Sequence, residues 1–198
     1  MEQENYLVIT HKEFLNSSGQ MLETCEVAVF PNLKMAIVEV KSIRTSLEQT
    51  LPKLFGSHDY ETYIDLLDGK EVIDLSHDIL FTDKSGRQAA AIYIRTEQSV
   101  CETIREKVDA SPNKVLHLED TIFTSMYDDD TPDDETVYKP LNVLMREYTD
   151  DETGNVEYIY DVEMLSRYPD GNELFYVESL DCIGFRTLAN IYISIQNS

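Results

Sequence analysis

The chain has no Trp and only 3 Cys, 7 Gly and 6 Pro in 198 residues, and its 16 basic side chains face 38 acidic ones. Most of these shortages exclude something. So few Gly and Pro leave no room for a low-complexity linker. Cys25, Cys101 and Cys182 are an odd, widely spaced set without a C-x-x-C pair. That argues against a disulfide framework and for a reducing compartment. No apolar run approaches the ~18 residues of a membrane-spanning helix. The first residues, MEQENYLVITHKEF, lack the basic and long apolar regions of a signal peptide. A soluble, cytoplasmic protein is the expectation.

Motifs that carry chemistry are also missing. There is no G-x-G-x-x-G and no G-K-[ST], and Arg44, Arg87, Arg95, Arg105, Arg146, Arg167 and Arg186 are scattered. A phosphate-binding loop is therefore not expected. His11, His58, His77 and His117 share no metal-like spacing and are expected at the surface or partly buried. The runs Ser57-His58-Asp59 and Ser76-His77-Asp78 are not a hydrolase triad. Three consecutive side chains diverge, whereas a triad converges from separate segments; turn and cap roles are expected instead. No cysteine adjoins a basic cluster that would lower its thiol pKa, and Cys101 is expected to pack in a core. No cofactor is expected.

What the chain does have is negative charge, a formal net of -22. Residues 1–100 hold 16 acids against 9 bases, and residues 101–198 hold 22 against 7. The density peaks at Asp128, Asp129, Asp130, Asp133, Asp134 and Glu135, and again at Asp150, Asp151 and Glu152. With 42% hydrophobic residues, 12 Tyr and 7 Phe, the chain should nonetheless fold. Such charge costs stability by self-repulsion and disfavours direct binding to nucleic acid or anionic membrane. It favours basic partners or cations. Neither acidic run has the EF-hand spacing, so solvated acidic loops are the plainer expectation over a calcium or magnesium site.

The elements read as α+β, with a mainly antiparallel sheet, two or three helices in the first half and a β-meander in the second. Tyr6–Thr10 and Met21–Phe30 read as strands, and the alternation in Leu33–Lys41 predicts another beyond a turn at Pro31-Asn32. Ser42–Phe55 and Ser57–Leu67 have helical spacing, with Pro52 expected to end or kink the first. Glu71–Leu75 reads as a strand, and Ile79–Thr82 with Ala89–Arg95 as a hairpin. Val100, Ile104 and Val108 form a helical stripe, with Ser99 and Glu102 fitting a capping box. Lys114–Leu118 and Ile122–Tyr127 read as strands, and Pro140 leaves Val137–Tyr148 open between strand and helix. Val156–Met164 alternates strongly. Turns at Asp150–Asn155 and Asp170-Gly171 make residues 141–179 an antiparallel meander. Leu188–Ile195 reads as a last strand. One compact domain over 1–198 is expected, and a subdivision would fall near 110. A weak echo between Ile92-Tyr93-Ile94 and Ile191-Tyr192-Ile193 does not amount to a duplication.

A non-enzymatic binding protein is the expected function. Tyr127 and Tyr138 flank the first acidic run, and Tyr148 and Tyr158 flank the second. Tyr supplies rigid contact area with a polar tip, and neighbouring acids can pair with Lys and Arg of a partner. Tyr158 and Tyr160, on an alternating strand, are expected to turn their rings to a core. The candidate binding residues are thus Tyr127, Asp128–Asp130, Asp133, Asp134, Glu135, Tyr138, Asp150, Asp151 and Glu152. The partner would be a protein with a basic surface. The sharper expectation is a nucleic-acid mimic that inhibits a nucleic-acid-binding protein, as viral counter-defence proteins do, since duplex DNA presents about one charge per 1.7 Å. Two alternatives stand beside it: a structural subunit whose sheet edges pair with neighbours, and a divalent-metal-dependent hydrolase using clustered carboxylates.

Overall fold

The computed structural model describes residues 4–15, 21–55, 60–63, 66–67, 70–76, 78–83, 86–125, 136–150 and 153–197. The fold is α+β. The described residues form three α-helices, two five-stranded antiparallel sheets and a small two-stranded one. The chain divides into two compact units, Met1–Gln98 and Ser99–Ser198.

In the first unit, β1 (Tyr6–Leu15) and β2 (Met21–Phe30) pair along their whole length. Helix α1 (Leu33–Phe55) follows, then β3 (Tyr60–Tyr63), the short pair β4 (Leu66–Leu67) and β5 (Lys70–Glu71), and the hairpin β6 (Ile79–Asp83) with β7 (Gln88–Thr96). The sheet order is β2-β1-β7-β6-β3. Its core joins Val8, Ile79, Phe81, Ala90, Ile92 and Ile94 of the sheet to Ala36, Val40, Leu47 and Leu51 of α1.

Four expectations fail here. Leu33–Lys41 is the start of α1 and not a strand. Asn32 caps the helix, its Oδ1 accepting the Met35 N–H at 3.0 Å. The buried positions Ala36, Val40, Leu47 and Leu51 keep helical spacing across the supposed boundary. The helix also continues through Pro52 to Phe55. Conversely, Tyr60–Tyr63 is strand and not helix, because it adds to the edge of β6 with Tyr63 opposite Leu80. The backbone ladder overrides a spacing that suits either state. Ser57, His58, Asp59 and Ile64 lie outside the described residues. Of Glu71–Leu75, only Glu71 is strand.

The second unit opens with α2 (Glu97–Ala110), which starts in the last two residues of the first. The helix begins two residues before the expected capping box, so Ser99 lies inside it and its carbonyl accepts the Thr103 hydroxyl at 2.8 Å. Val100, Cys101, Ile104 and Val108 are buried, as their spacing predicts. A 3₁₀ turn (Pro112–Lys114), β8 (Val115–His117) and β9 (Thr124–Ser125) lead to three long strands, β10 (Val137–Thr149), β11 (Val156–Arg167) and β12 (Glu173–Ser179). The sheet order is β12-β11-β10-β8, with β9 also on β10. Pro140 sits at a register shift before Asn142, where a missing N–H does least harm to the ladder.

The chain's last element is α3 (Phe185–Asn197), where Leu188–Ile195 was expected to be strand. Every residue from Thr187 to Ile195 is buried. Its polar residues Thr187, Asn190, Ser194 and Asn197 do recur at helical spacing, but Ile191, Ile193 and Ile195 alternate with period two and make the run resemble a strand. Ile92-Tyr93-Ile94 in β7 and Ile191-Tyr192-Ile193 in α3 therefore have the same letters and different structures.

Candidate binding surface

β10 and β11 pair from Val137 opposite Arg167 to Thr149 opposite Val156, with one register shift between Pro140 and Asn142. The core covers only part of this length. Pro140, Val143, Val162, Met164 and Ser166 are buried, whereas every described residue from Arg146 to Thr149 and from Thr153 to Ile159 is exposed. The hairpin thus runs out of the sheet as a two-stranded arm. Its turn is well defined: the Asp150 N–H donates to Asn155 O (2.9 Å) and the Gly154 N–H to Asp150 O (2.8 Å). The Asp150 carboxylate accepts the Thr153 N–H at 2.9 Å. Gly154 holds φ +72°, a value that favours glycine.

Side chains on the arm alternate. Tyr148 lies opposite Glu157, and Glu147 lies opposite Tyr158. Each face therefore presents one tyrosine beside one glutamate. Tyr148 is 51% exposed and Tyr158 58%, so the expectation that Tyr158 turns to a core is corrected. It fails because Tyr158 lies beyond the covered part of β11. Tyr160, two residues nearer the core, does anchor. Its hydroxyl donates to the Asp109 carboxylate of α2 at 3.1 Å, and the Arg105 guanidinium stands 5.6 Å from its ring centre. Burial, then the hydrogen bond to Asp109, raises the Tyr160 phenol above its usual pKa. Arg146 pairs with Asp161 at the base of the arm, and Arg105 with Asp181.

Of the candidate binding residues, Tyr138 and Asp150 are described; Tyr127, Asp128–Asp130, Asp133, Asp134, Glu135, Asp151 and Glu152 lie outside the described residues. Tyr138 packs edge-on against Tyr176, with ring centres 6.3 Å apart and planes at 86°. It stands at the start of β10, and Asp150 directly follows its end. At about 3.3 Å per residue the strand keeps the two roughly 40 Å apart. The two acidic runs thus join opposite ends of one strand.

Other features were not legible in the sequence. On the face of the second sheet that carries Asp161, His117 Nδ1 donates to Asn142 Oδ1 (2.8 Å), and Asn142 Nδ2 donates to Glu163 Oε2 (2.6 Å). These residues occupy one register row across β8, β10 and β11, and only strand register could have revealed the row. His11, expected at least partly exposed, is wholly buried, with Nε2 2.7 Å from Glu23 Oε1. Ser76 bonds to Asp74, and Asp78 pairs with Arg95 at 2.7 Å. An open groove of about 520 Å³ beside α1 is lined by Phe30, Asn32, Lys34, Met35, Val38 and Glu39.

Six of the seven arginines are committed to carboxylates of the chain. Arg44, Arg87, Arg95, Arg105, Arg146 and Arg167 each hold an ion pair with a carboxylate of the same chain. Among the described residues, no group of three or more His, Cys, Asp or Glu is placed to share a metal ion. No described helix is long and apolar enough to cross a membrane. No disulfide joins Cys25, Cys101 and Cys182. Compared with protein-family models, curated proteins and solved structures, the chain matches none.

Proposed function

We propose that the protein is a non-catalytic binding module whose acidic arm, residues 146–159, docks in a basic cleft of another macromolecule. The single observation that carries this function is the arm itself: both of its faces pair an exposed tyrosine with a glutamate around the Asp150 turn. Five acids and one base lie in this stretch. A ribbon with the same chemistry on both faces suits a slot that encloses it, and less so a flat surface that reads one face. Positive channels that hold nucleic acid are slots of this kind, so the partner class is a nucleic-acid-binding protein. The tyrosines would supply contact area at low entropic cost, and the carboxylates would steer association.

The test is capture of partners from the native cell with wild type, with Glu147→Gln/Glu157→Gln and with Tyr148→Ser/Tyr158→Ser. The captured partner's affinity is then measured against salt. Binding should weaken with salt and with each double variant, and nucleic acid should compete. A partner indifferent to salt and to both variants would sink the proposal.

A further inference from the structure

Among the described residues, the outer edge of β12 is unpaired. The Leu180 N–H reaches Tyr160 O at 2.8 Å, and the Tyr168 N–H reaches Asn172 O at 2.9 Å. Both lie in the register that sets Met164 opposite Tyr176. Antiparallel ladders alternate, so Leu174, Tyr176 and Glu178 turn their backbone groups toward β11. Glu173, Phe175, Val177 and Ser179 turn theirs away from the sheet. Among the described residues no strand pairs with that side. β12 has no proline, lysine or register shift, devices that protect an edge, and its charges are Glu173 and Glu178. Leu174 and Val177 are each 50% exposed and Phe175 68%.

We propose that this edge is a self-association seam: a second copy of the chain pairs its β12 antiparallel to the first about a two-fold axis at Tyr176. Tyr176 is the middle residue of the strand, so this register uses the outward backbone groups of Glu173, Phe175, Val177 and Ser179, the Ser179 carbonyl also accepting the Cys182 N–H at 2.9 Å. Phe175 then faces Val177, Glu173 faces Ser179 and Glu178 faces Leu174. The Glu173 charge is already met by Arg167 at 2.9 Å. Other registers are worse. An axis at Val177 carries Glu173 past the partner strand onto Asp181, and an axis at Glu178 sets that residue against itself, where like charges directly opposite destabilise a sheet. An axis at Phe175 carries Ser179 past the partner strand onto Gly171. The edge is thus complementary to itself in length, backbone and charge, as an isologous dimer requires.

Net charge opposes the dimer, and salt screens it, with a Debye length of about 8 Å at physiological ionic strength. The seam therefore tightens as salt rises. Docking of the acidic arm weakens under the same change, so the two proposals fail separately.

The experiment is sedimentation equilibrium of the full chain over a wide concentration range at low and high salt. Wild type should dimerise, more tightly at high salt. Val177→Pro removes an N–H that β11 does not use and places a ring in the path of the incoming strand. It should be monomeric, with the thermal midpoint that wild type shows at concentrations where wild type is also monomeric. Phe175→Lys/Val177→Lys, which keeps every backbone group, should weaken the dimer by roughly tenfold or more. A wild type that stays monomeric at high salt overturns the seam, as does a dimer that persists undiminished in the lysine variant.

Discussion

The imidazole of His11 is wholly buried, and its Nε2 lies 2.7 Å from Glu23 Oε1. Glu23 in turn stands directly opposite Glu13, which Arg87 holds at 2.7 Å. His11 and Arg87 thus separate two carboxylates that would otherwise face each other across β1 and β2. The His11 Nδ1 has no hydrogen-bond partner, so the ring depends on Glu23 alone. Glu23→Leu should orphan the second nitrogen and cost about 1–3 kcal/mol, whereas Glu23→Gln should cost less. Urea unfolding distinguishes the two; equal losses would show that packing, not the hydrogen bond, matters at this site.

Two phenylalanines should behave oppositely. Phe81 is fully buried between α1 and the first sheet, and Phe81→Ala should destabilise by about 3–5 kcal/mol. Phe175 is exposed on β12, and Phe175→Ala should move the stability of the monomer by less than about 0.5 kcal/mol. Unfolding of both variants under monomeric conditions checks the contrast.

The entry to α1 rests on one side chain. Asn32→Ala should cost about 1 kcal/mol, and Asn32→Asp should retain the cap. Equal stability of all three forms would mean that burial of the apolar stripe alone sets the helix start.

Tyr176 has a buried hydroxyl without a hydrogen-bond partner. Burial, followed by the charge of Glu178, holds its phenol well above the ordinary range. Tyr160 is raised as well, by burial and Asp109. Raised folded pKa values mean that the unfolded chain releases these protons first, near pH 10. Stability should therefore be full below that pH and fall as pH rises further. Tyr160→Phe and Tyr176→Phe should each flatten the fall. Tyr176→Phe should also gain about 1 kcal/mol at neutral pH, because an unsatisfied group is removed. Chemical unfolding on both sides of pH 10 provides the check; a wild-type stability flat across that range contradicts it.

Elements with one polar face were legible in the sequence. The β10–β11–β12 meander, the β6–β7 hairpin and α2 follow from alternation, Asp-Gly chemistry and a helical stripe. The errors arose where a pattern lost its contrast. In α3 the alternation of Ile191, Ile193 and Ile195 overlies a helical spacing of polar residues, and Leu33–Lys41 alternates by chance on top of a helical stripe that only Asn32 and the residues beyond 41 disambiguate. The tyrosine–acid pattern of the arm was visible, but its two-sided exposure was not. That depends on where the core stops beneath β11, and coverage is a property of distant residues. The His117–Asn142–Glu163 row was invisible for the same reason, since neighbours across strands are set by register.

β10 runs as one strand from Val137 to Thr149, with a single register shift near Pro140, and this makes it a ruler. The two acidic runs are attached to its ends, so their attachment points are fixed by a residue count and not by loop flexibility. Adding two residues to each strand of the arm would move the Asp150 turn outward by about 7 Å and leave every face unchanged. Adding one to each would exchange the faces of everything beyond the insertion. Spacing and facing can therefore be varied independently in this hairpin, and any partner that touches both ends measures the first of them.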